Sequence, residues 1–254
     1  MAENGWSVYL TDNDSTDPVT STICTQINNI PVISTKYMFY RTEAISIDLN
    51  SFDTSNIIDM EGMFKYAHTP LLDLSNFNTS NVITMEKMFE ESEIKTLDIN
   101  NFDTSNVENF AAFLSRCKVI TIDLNYIKTN NATTMKEMFS SSKLKKIDLS
   151  HFNTSKVTDM SRMFSSSKVT SLDLSSFDTS NVRDMSSMFQ AATNLKTIYA
   201  SDKFVTTNVT KSSAMFRYCE SLVGGNGTVY NSSNTGKTYA RIDTASTPGY
   251  FTLK

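Results

Sequence analysis

The hydrophobic and polar positions of this chain repeat at a fixed interval. Quartets that alternate apolar and polar residues, such as IDLN at Ile47 and LDLS at Leu72, begin 25 residues apart. The series starts at Ile47, Leu72, Leu97, Ile122, Ile147 and Leu172, and a seventh quartet begins at Ile198 after 26 residues. Self-similarity at a period of roughly 20–50 residues is typical of proteins built from stacked repeats. The sequence therefore predicts a repeat protein.

One repeat, residues 144–168, predicts the local structure of the others. Ile147 and Leu149 alternate with polar residues, which favours a short strand with both side chains on one face. The next apolar residues recur at spacings of three and four, which favours a short helix: Val157, Met160, Met163 and Phe164. The pattern predicts an α/β repeat fold, a solenoid of 25-residue strand–turn–short-helix units with terminal caps, in which neighbouring units share one core.

The motif FDTSN and its near-copies occupy the segment between the predicted strand and helix. We interpret its phenylalanines as a structural spine that stacks from unit to unit: Phe52, Phe77, Phe102, Phe152 and Phe177. The threonine and asparagine of the motif, such as Thr104 and Asn106, lie where the backbone leaves regular structure and its polar groups need partners. We therefore expect a structural role for FDTSN and no catalytic one.

The pattern LDLSxFDTSNVxDMSxMF resembles the BspA-type leucine-rich-repeat family of bacterial surface proteins and mycoplasma lipoproteins. The C-terminal segment LVGGNGTVYNSSNTGKTYARIDTASTPGYFT is similar to the segment that closes such arrays. The resemblance implies a leucine-rich-repeat solenoid whose relatives mostly adhere to or recognise other molecules. We predict an N-terminal cap over residues 1–21, a solenoid of about eight units over residues 22–222, and a C-terminal β cap over residues 223–254.

Composition narrows the partners and the location. The chain has 254 residues, a formal net charge of −4 and a pI near 5.3, which argues against nucleic acid and anionic membranes as partners. Its apolar runs are too short to span a bilayer, so direct membrane insertion is not expected. No signal peptide or anchor is visible in this chain. We expect an extracellular, cell-surface or virion-associated location, with delivery by another factor.

The residues that could carry catalysis are few and scattered. His68 and His151 belong to different units, and no phosphate-binding loop, HExxH or CxxC motif is present. Cys117 and Cys219 lie four units apart, too far for a disulfide, and Cys24 takes the place of a strand leucine, so we expect three free, largely buried thiols. The chain is predicted not to be an enzyme, and no cofactor or metal is expected.

A column of carboxylates is the candidate ligand-binding site. Its members occupy the outward position of each quartet and should form a stripe on the open, concave face: Asp48, Asp73, Asp98, Asp123, Asp148 and Asp173. Stacked like charges destabilise a sheet, so something must compensate them. Three interpretations stay open: local hydroxyl and amide partners, a contact surface for a protein or glycan, or a calcium site.

These observations predict a non-catalytic recognition or adhesion module that binds a protein or glycan through the solenoid surface. The alternative is a structural, decoration or receptor-binding subunit of a bacteriophage virion, in which the partners include other subunits of the assembly. The residues do not separate the two. Neither is an enzyme, and the sequence contains no group of residues typical of a catalytic site.

Overall fold

The computed structural model describes residues 6–7, 26–27, 29–44 and 46–254. Two small sheets lie in the N-terminal and C-terminal parts of the chain. In the first, β3 (Ile30–Ser34) pairs in parallel with β1 (Trp6–Ser7) and antiparallel with β2 (Gln26–Ile27). The second is parallel, in the order β4 (Ser171–Asp173), β5 (Thr197–Ala200) and β6 (Phe251–Leu253). Between them, the 25-residue repeats consist of turns.

The predicted fold class, a leucine-rich-repeat solenoid of strand–turn–short-helix units, is therefore wrong. Within the described residues the single helix is a 3-10 turn at Lys237–Tyr239, and regular strands are limited to the six short ones. Neither the helix predicted around Met160 and Phe164 nor the strand predicted around Ile147 and Leu149 is formed. In the same part of the chain, no helix has the length and apolarity that a bilayer crossing requires.

Left-handed backbone conformations explain why no helix forms. Each repeat from Tyr37 onward contains two residues with φ between about +54° and +64°, four positions apart, as at Arg162 (55°) and Ser166 (56°). The other pairs are Tyr37 and Arg41, Gly62 and Tyr66, Lys87 and Glu91, Ala112 and Arg116, Glu137 and Ser141, Ser187 and Ala191, and Ala214 and Tyr218. A left-handed residue cannot continue a right-handed helix, so the chain turns repeatedly instead.

Backbone hydrogen bonds from these turns join each repeat to the next. The amides of Met160, Arg162, Phe164 and Ser166 donate to carbonyls 24 positions further on, at 2.7–2.9 Å. The amides of Met163 and Ser165 close turns onto carbonyls three positions back, whereas the Ser161 amide donates to Oδ1 of Asp159. Parallel bridges run through the stack at Ser34, Asp59, Thr84, Asn109, Thr134, Asp159, Asp184 and Lys211. The repeats are thus stacked in register at these turns.

The apolar–polar quartets are less tightly joined than the turns. Within the described residues, no backbone hydrogen bond connects the quartets 72–75, 97–100, 122–125 and 147–150 to one another. Only the last two quartets pair, as Leu172 with Ile198 in β4 and β5. Each aspartate draws the amide two residues on into a local turn, as Asp73 does with Ser75. The same bond joins Ser175 to Asp173 beside the paired strand β4, so this local turn does not by itself prevent pairing.

Methionine and phenylalanine side chains form the core beneath the turns. Met160, Met163 and Phe164 are fully buried, as are their counterparts in neighbouring repeats. The Phe164 ring stacks on Phe139 and Phe189, with ring centroids 5.8 and 5.9 Å apart. The spacing of three and four that suggested a helix thus marks the inward positions of the turns.

The predicted domain boundaries stay predictions. Most of the N-terminal cap over residues 1–21, and Cys24, lie outside the described residues. In the C-terminal segment, Tyr250 and Phe251 are fully buried, and the Tyr250 ring lies 5.1 Å from Phe216 of the last repeat. The buried carboxylate of Asp243 accepts hydrogen bonds from Asn226, Thr228 and Gly249, which ties the two loops of this segment together.

Candidate functional site

The structure places the predicted aspartate stripe at equivalent positions of six successive repeats. The side chains of Asp48, Asp73, Asp98, Asp123 and Asp148 are exposed, and Asp173 is half-buried. Asp173 differs because the ammonium of Lys254 pairs with its carboxylate, and this ammonium also lies 5.8 Å from the Tyr199 ring centroid. Five of the six carboxylates therefore face solvent.

Each aspartate of the stripe has a local hydrogen-bond donor. One carboxylate oxygen accepts the backbone N–H two residues on, at 2.9–3.0 Å, from Asn50, Ser75, Asn100, Asn125, Ser150 and Ser175. Side-chain and backbone hydrogen bonds from Ser75 hold the pKa of Asp73 below its usual value, and the amide and hydroxyl of Ser150 do the same for Asp148. Burial raises the pKa of Asp173, but bonds from Lys254 and Ser175 outweigh it and lower the pKa.

These bonds favour the interpretation in which local donors compensate the stripe. Hydrogen bonds to the charged form stabilise a carboxylate, whereas repulsion between stacked carboxylates would raise its pKa. No group of three or more His, Cys, Asp or Glu side chains in the described residues is arranged to hold a metal ion. The stripe is thus a row of turn-forming carboxylates, and the second oxygen of Asp173 pairs with Lys254.

The phenylalanine and threonine of FDTSN lie in the interior, apart from the stripe. All five predicted spine phenylalanines are buried, with Phe52 and Phe77 6.1 Å apart and Phe77 and Phe102 6.4 Å apart between ring centroids. Ile127 fills the next position, so the aromatic series is interrupted there. Beside it, the buried hydroxyl of Thr104 donates to the carbonyl of Lys128 in the next repeat at 2.9 Å, and accepts its amide at 2.7 Å.

The asparagines of the motif form a second ladder at the surface. The side-chain amide of Asn106 donates to the carbonyl of Ser80 in the preceding repeat at 2.7 Å. The same bond recurs at 2.7 Å for Asn81, Asn131, Asn181 and Asn208. Repeat six carries Lys156 at this position, and its ammonium donates to Oδ1 of Asn131 at 2.7 Å. The ladder therefore fixes a row of amide groups along one edge of the stack.

An open groove runs beside this row and was not predicted from the sequence. It has a volume of about 530 Å³ and is lined by Asn56, Ile58, Asn81, Ile83, Asn106, Glu108 and Asn131. Ile58 and Ile83 are 37% and 45% exposed and contribute apolar area to the groove. Within the described residues, Oδ1 of Asn81 and of Asn106 and the carboxylate of Glu108 have no hydrogen-bond donor. We call this surface the asparagine–isoleucine groove.

Comparison with known protein families identifies the family to which the chain belongs. A family model described as "Mycoplasma protein of unknown function, DUF285" matches residues 33–150 and 133–247. The chain belongs to this family. The match agrees with the predicted BspA-like resemblance at the level of a repeat-containing surface-protein family, and it carries no information on the leucine-rich-repeat type. Searches of curated proteins and of solved structures found no match.

In this family member the face formed by the turns carries a network of aromatic and charged side chains. The Arg41 guanidinium lies 5.1 and 5.3 Å from the ring centroids of Tyr40 and Tyr66. The Tyr66 hydroxyl donates to Glu91 at 3.1 Å, and Arg116 pairs with the same carboxylate at 2.7 Å. Because these groups contact one another across successive repeats, the network joins the repeats to one another.

The remaining reactive side chains are separated. Cys117 and Cys219 are buried free thiols, and burial raises the pKa of Cys219 to about 12. Burial likewise raises the pKa of Cys117, whose sulfur lies 3.2 Å from the Ser92 hydroxyl. His68 is exposed and lies 3.2 Å from Glu43, whereas His151 packs edge-on against Phe152. The structure does not bring these residues together.

The sequence did hold a signal for the groove. The position two residues after the motif asparagine is polar in later repeats, where it is Glu108, Thr133, Thr158 or Arg183. Ile58 and Ile83 are apolar exceptions in that column. An apolar residue at a position that is polar in the other repeats marks a local apolar surface. The predicted repeat unit did not distinguish this position from its neighbours.

Proposed function

We propose that this chain is a non-catalytic recognition module that binds a protein or glycan through its surface. In this proposal the module acts outside the cell, at a cell surface or on a virion. Its binding surface is the asparagine–isoleucine groove of the second to fifth repeats. The aspartate stripe is the competing surface.

One observation carries the proposal: apolar side chains and unused polar groups occur together in the groove. Ile58 and Ile83 are exposed, and the Asn81 and Asn106 amide oxygens and the Glu108 carboxylate lack donors within the described residues. Contact surfaces combine apolar area that gains from burial with polar groups that fix orientation. The stripe is less suited because each carboxylate already serves a local turn.

Binding to an array of immobilised surface proteins and glycans tests the proposal. The wild-type chain should bind a subset of the array in a saturable manner. The pair Ile58→Ser with Ile83→Ser removes apolar groove surface and should weaken that binding by at least about ten-fold, or 1.4 kcal/mol. The matched pair Asp98→Asn with Asp123→Asn, on the stripe, should leave it unchanged. Loss of binding only in the stripe pair would contradict the assignment.

A further inference from the structure

Lys156 shows which kind of side chain can bind to the asparagine ladder. It replaces asparagine in the sixth repeat, and its ammonium donates to Oδ1 of Asn131 at 2.7 Å. Oδ1 of Asn81 and of Asn106 occupy the same ladder position one or two repeats earlier and have no donor within the described residues. These two amide oxygens are therefore equivalent to the one that binds Lys156, and no lysine among the described residues donates to them.

The surroundings of those free oxygens suit a lysine side chain. Ile58 and Ile83 lie next to them in the groove and offer aliphatic contact for a four-carbon stem. Glu108 lies at the same groove, is exposed, and has no basic partner within 4.0 Å among the described residues. No lysine or arginine lines the groove. Its charge is thus complementary to an ammonium.

We propose that the asparagine–isoleucine groove binds an extended polypeptide segment through a lysine side chain. The lysine ammonium donates to Oδ1 of Asn81 or Asn106 and lies near the Glu108 carboxylate, while its stem covers Ile58 or Ile83. This inference rests on the proposed function and narrows its partner to a lysine-bearing protein. A glycan in the same groove is the competing occupant.

The chain itself supplies a variant that blocks the groove without a new backbone conformation. Asn106→Lys places a lysine in the fourth repeat, at the ladder position that Lys156 occupies in the sixth. Its ammonium should donate to Oδ1 of Asn81. Asn208→Lys makes the same substitution in the same ladder, outside the groove, where the preceding ladder residue is again an asparagine, Asn181. Both variants remove one hydrogen bond that an asparagine amide donates to a serine carbonyl, Ser80 or Ser180, and both gain one positive charge.

The experiment measures binding of a fluorescent peptide of alternating lysine and threonine by anisotropy. The wild type should bind it, and acetylation of its lysines should weaken binding at least about ten-fold because the charged donor is lost. Asn106→Lys should weaken binding by a similar factor, whereas Asn208→Lys should change it less than about two-fold. Thermal midpoints of both variants, measured in parallel, report on folding.

Several results would overturn the inference. They are no binding of the lysine peptide to the wild type, equal binding of the acetylated peptide, or equal losses in the two lysine variants. If Asn106→Lys abolishes binding of a hexasaccharide of N-acetylglucosamine and leaves binding of the lysine peptide unchanged, the groove is a glycan-binding site. That result would support the proposed recognition function and contradict the lysine-bearing partner. Failure of every array probe as well would count against both.

Discussion

The ring of Tyr37 lies against the backbone of Gly62 in the next repeat. A Cβ atom at Gly62 would be 2.2 Å from Cε1 of Tyr37, and the Tyr37 hydroxyl donates to the neighbouring Glu61 at 2.8 Å. Gly62 also has a φ of +59°, although other repeats place Lys87, Ala112 or Glu137 at the same left-handed position. The neighbouring tyrosine ring, more than the backbone conformation, therefore excludes a side chain at Gly62.

Gly62→Ala should lower the free energy of unfolding by about 2–3 kcal/mol, because left-handed strain of about 1–2 kcal/mol adds to displacement of the ring. Ala112→Gly, at the equivalent position of repeat four, should change it by less than about 1 kcal/mol. In a Tyr37→Ala background the cost of Gly62→Ala should fall. Denaturant unfolding measures all four chains, and strictly additive effects would contradict the contact.

The stacked phenylalanines beneath the turns should carry much of the stability. Phe164→Ala should cost roughly 3–5 kcal/mol, because a cavity opens between Phe139 and Phe189. The exposed Lys168→Ala in the same repeat should cost less than about 0.5 kcal/mol. Equal shifts of the urea midpoint in the two variants would show that Phe164 is not a core residue.

The left-handed turns predict a sensitivity to β-branched residues. Ser141 has a φ of +54°, so Ser141→Val should destabilise the chain by about 1–2 kcal/mol, since a branched side chain tolerates this region poorly. Ser141→Gly should be close to neutral. Lys143→Val, two residues on and exposed, serves as the control. A Ser141→Val midpoint as high as that of Lys143→Val would argue for a helical backbone in this segment.

The prediction of helices failed at these residues for a physical reason. Met160, Met163 and Phe164 have a spacing that suits one face of a helix, and the same spacing suits inward positions of successive turns. What separates the two is the sign of φ at Arg162 and Ser166, and neither residue type favours positive φ. Only Gly62 marks that position in the sequence. The hydrogen bonds to the next repeat, which are non-local, decide the conformation.

Other features could be read from the sequence with more success. The 25-residue interval recurs in the backbone hydrogen bonds and bridges between repeats. The outward position of aspartates such as Asp98 followed from alternation within the quartet. Whether the quartets pair as strands did not follow from alternation, because pairing depends on backbone contacts between repeats that are far apart in the sequence. The asparagine–isoleucine groove depends on the same geometry.

The aspartate pKa directions predict how stability responds to acid. A carboxyl group whose folded pKa is below its unfolded value contributes stability above the unfolded pKa, and this contribution is lost as pH falls through the folded pKa. Because the pKa values of Asp73 and Asp148 are lowered, the thermal midpoint should fall as pH drops below about 4. It would rise instead if repulsion within the stripe dominated.

Asp148→Asn isolates this contribution. Asn153 already accepts the amide of Ser155 at 3.1 Å in the same kind of turn, so an asparagine should preserve the local geometry. The difference in thermal midpoint between neutral and acidic pH should be smaller in Asp148→Asn than in the wild type. An unchanged or larger difference would show that this carboxylate does not contribute in the expected direction.

Hydrogen–deuterium exchange with and without a bound partner tests most directly whether the groove is the recognition surface. The measurement takes the tightest-binding array protein and compares backbone exchange across all repeats. Slower exchange on binding is expected in the segments 56–58, 81–83 and 106–108, which carry six of the seven groove residues. Protection confined to 48–50, 73–75 and 98–100, which carry the aspartate stripe, would contradict that expectation.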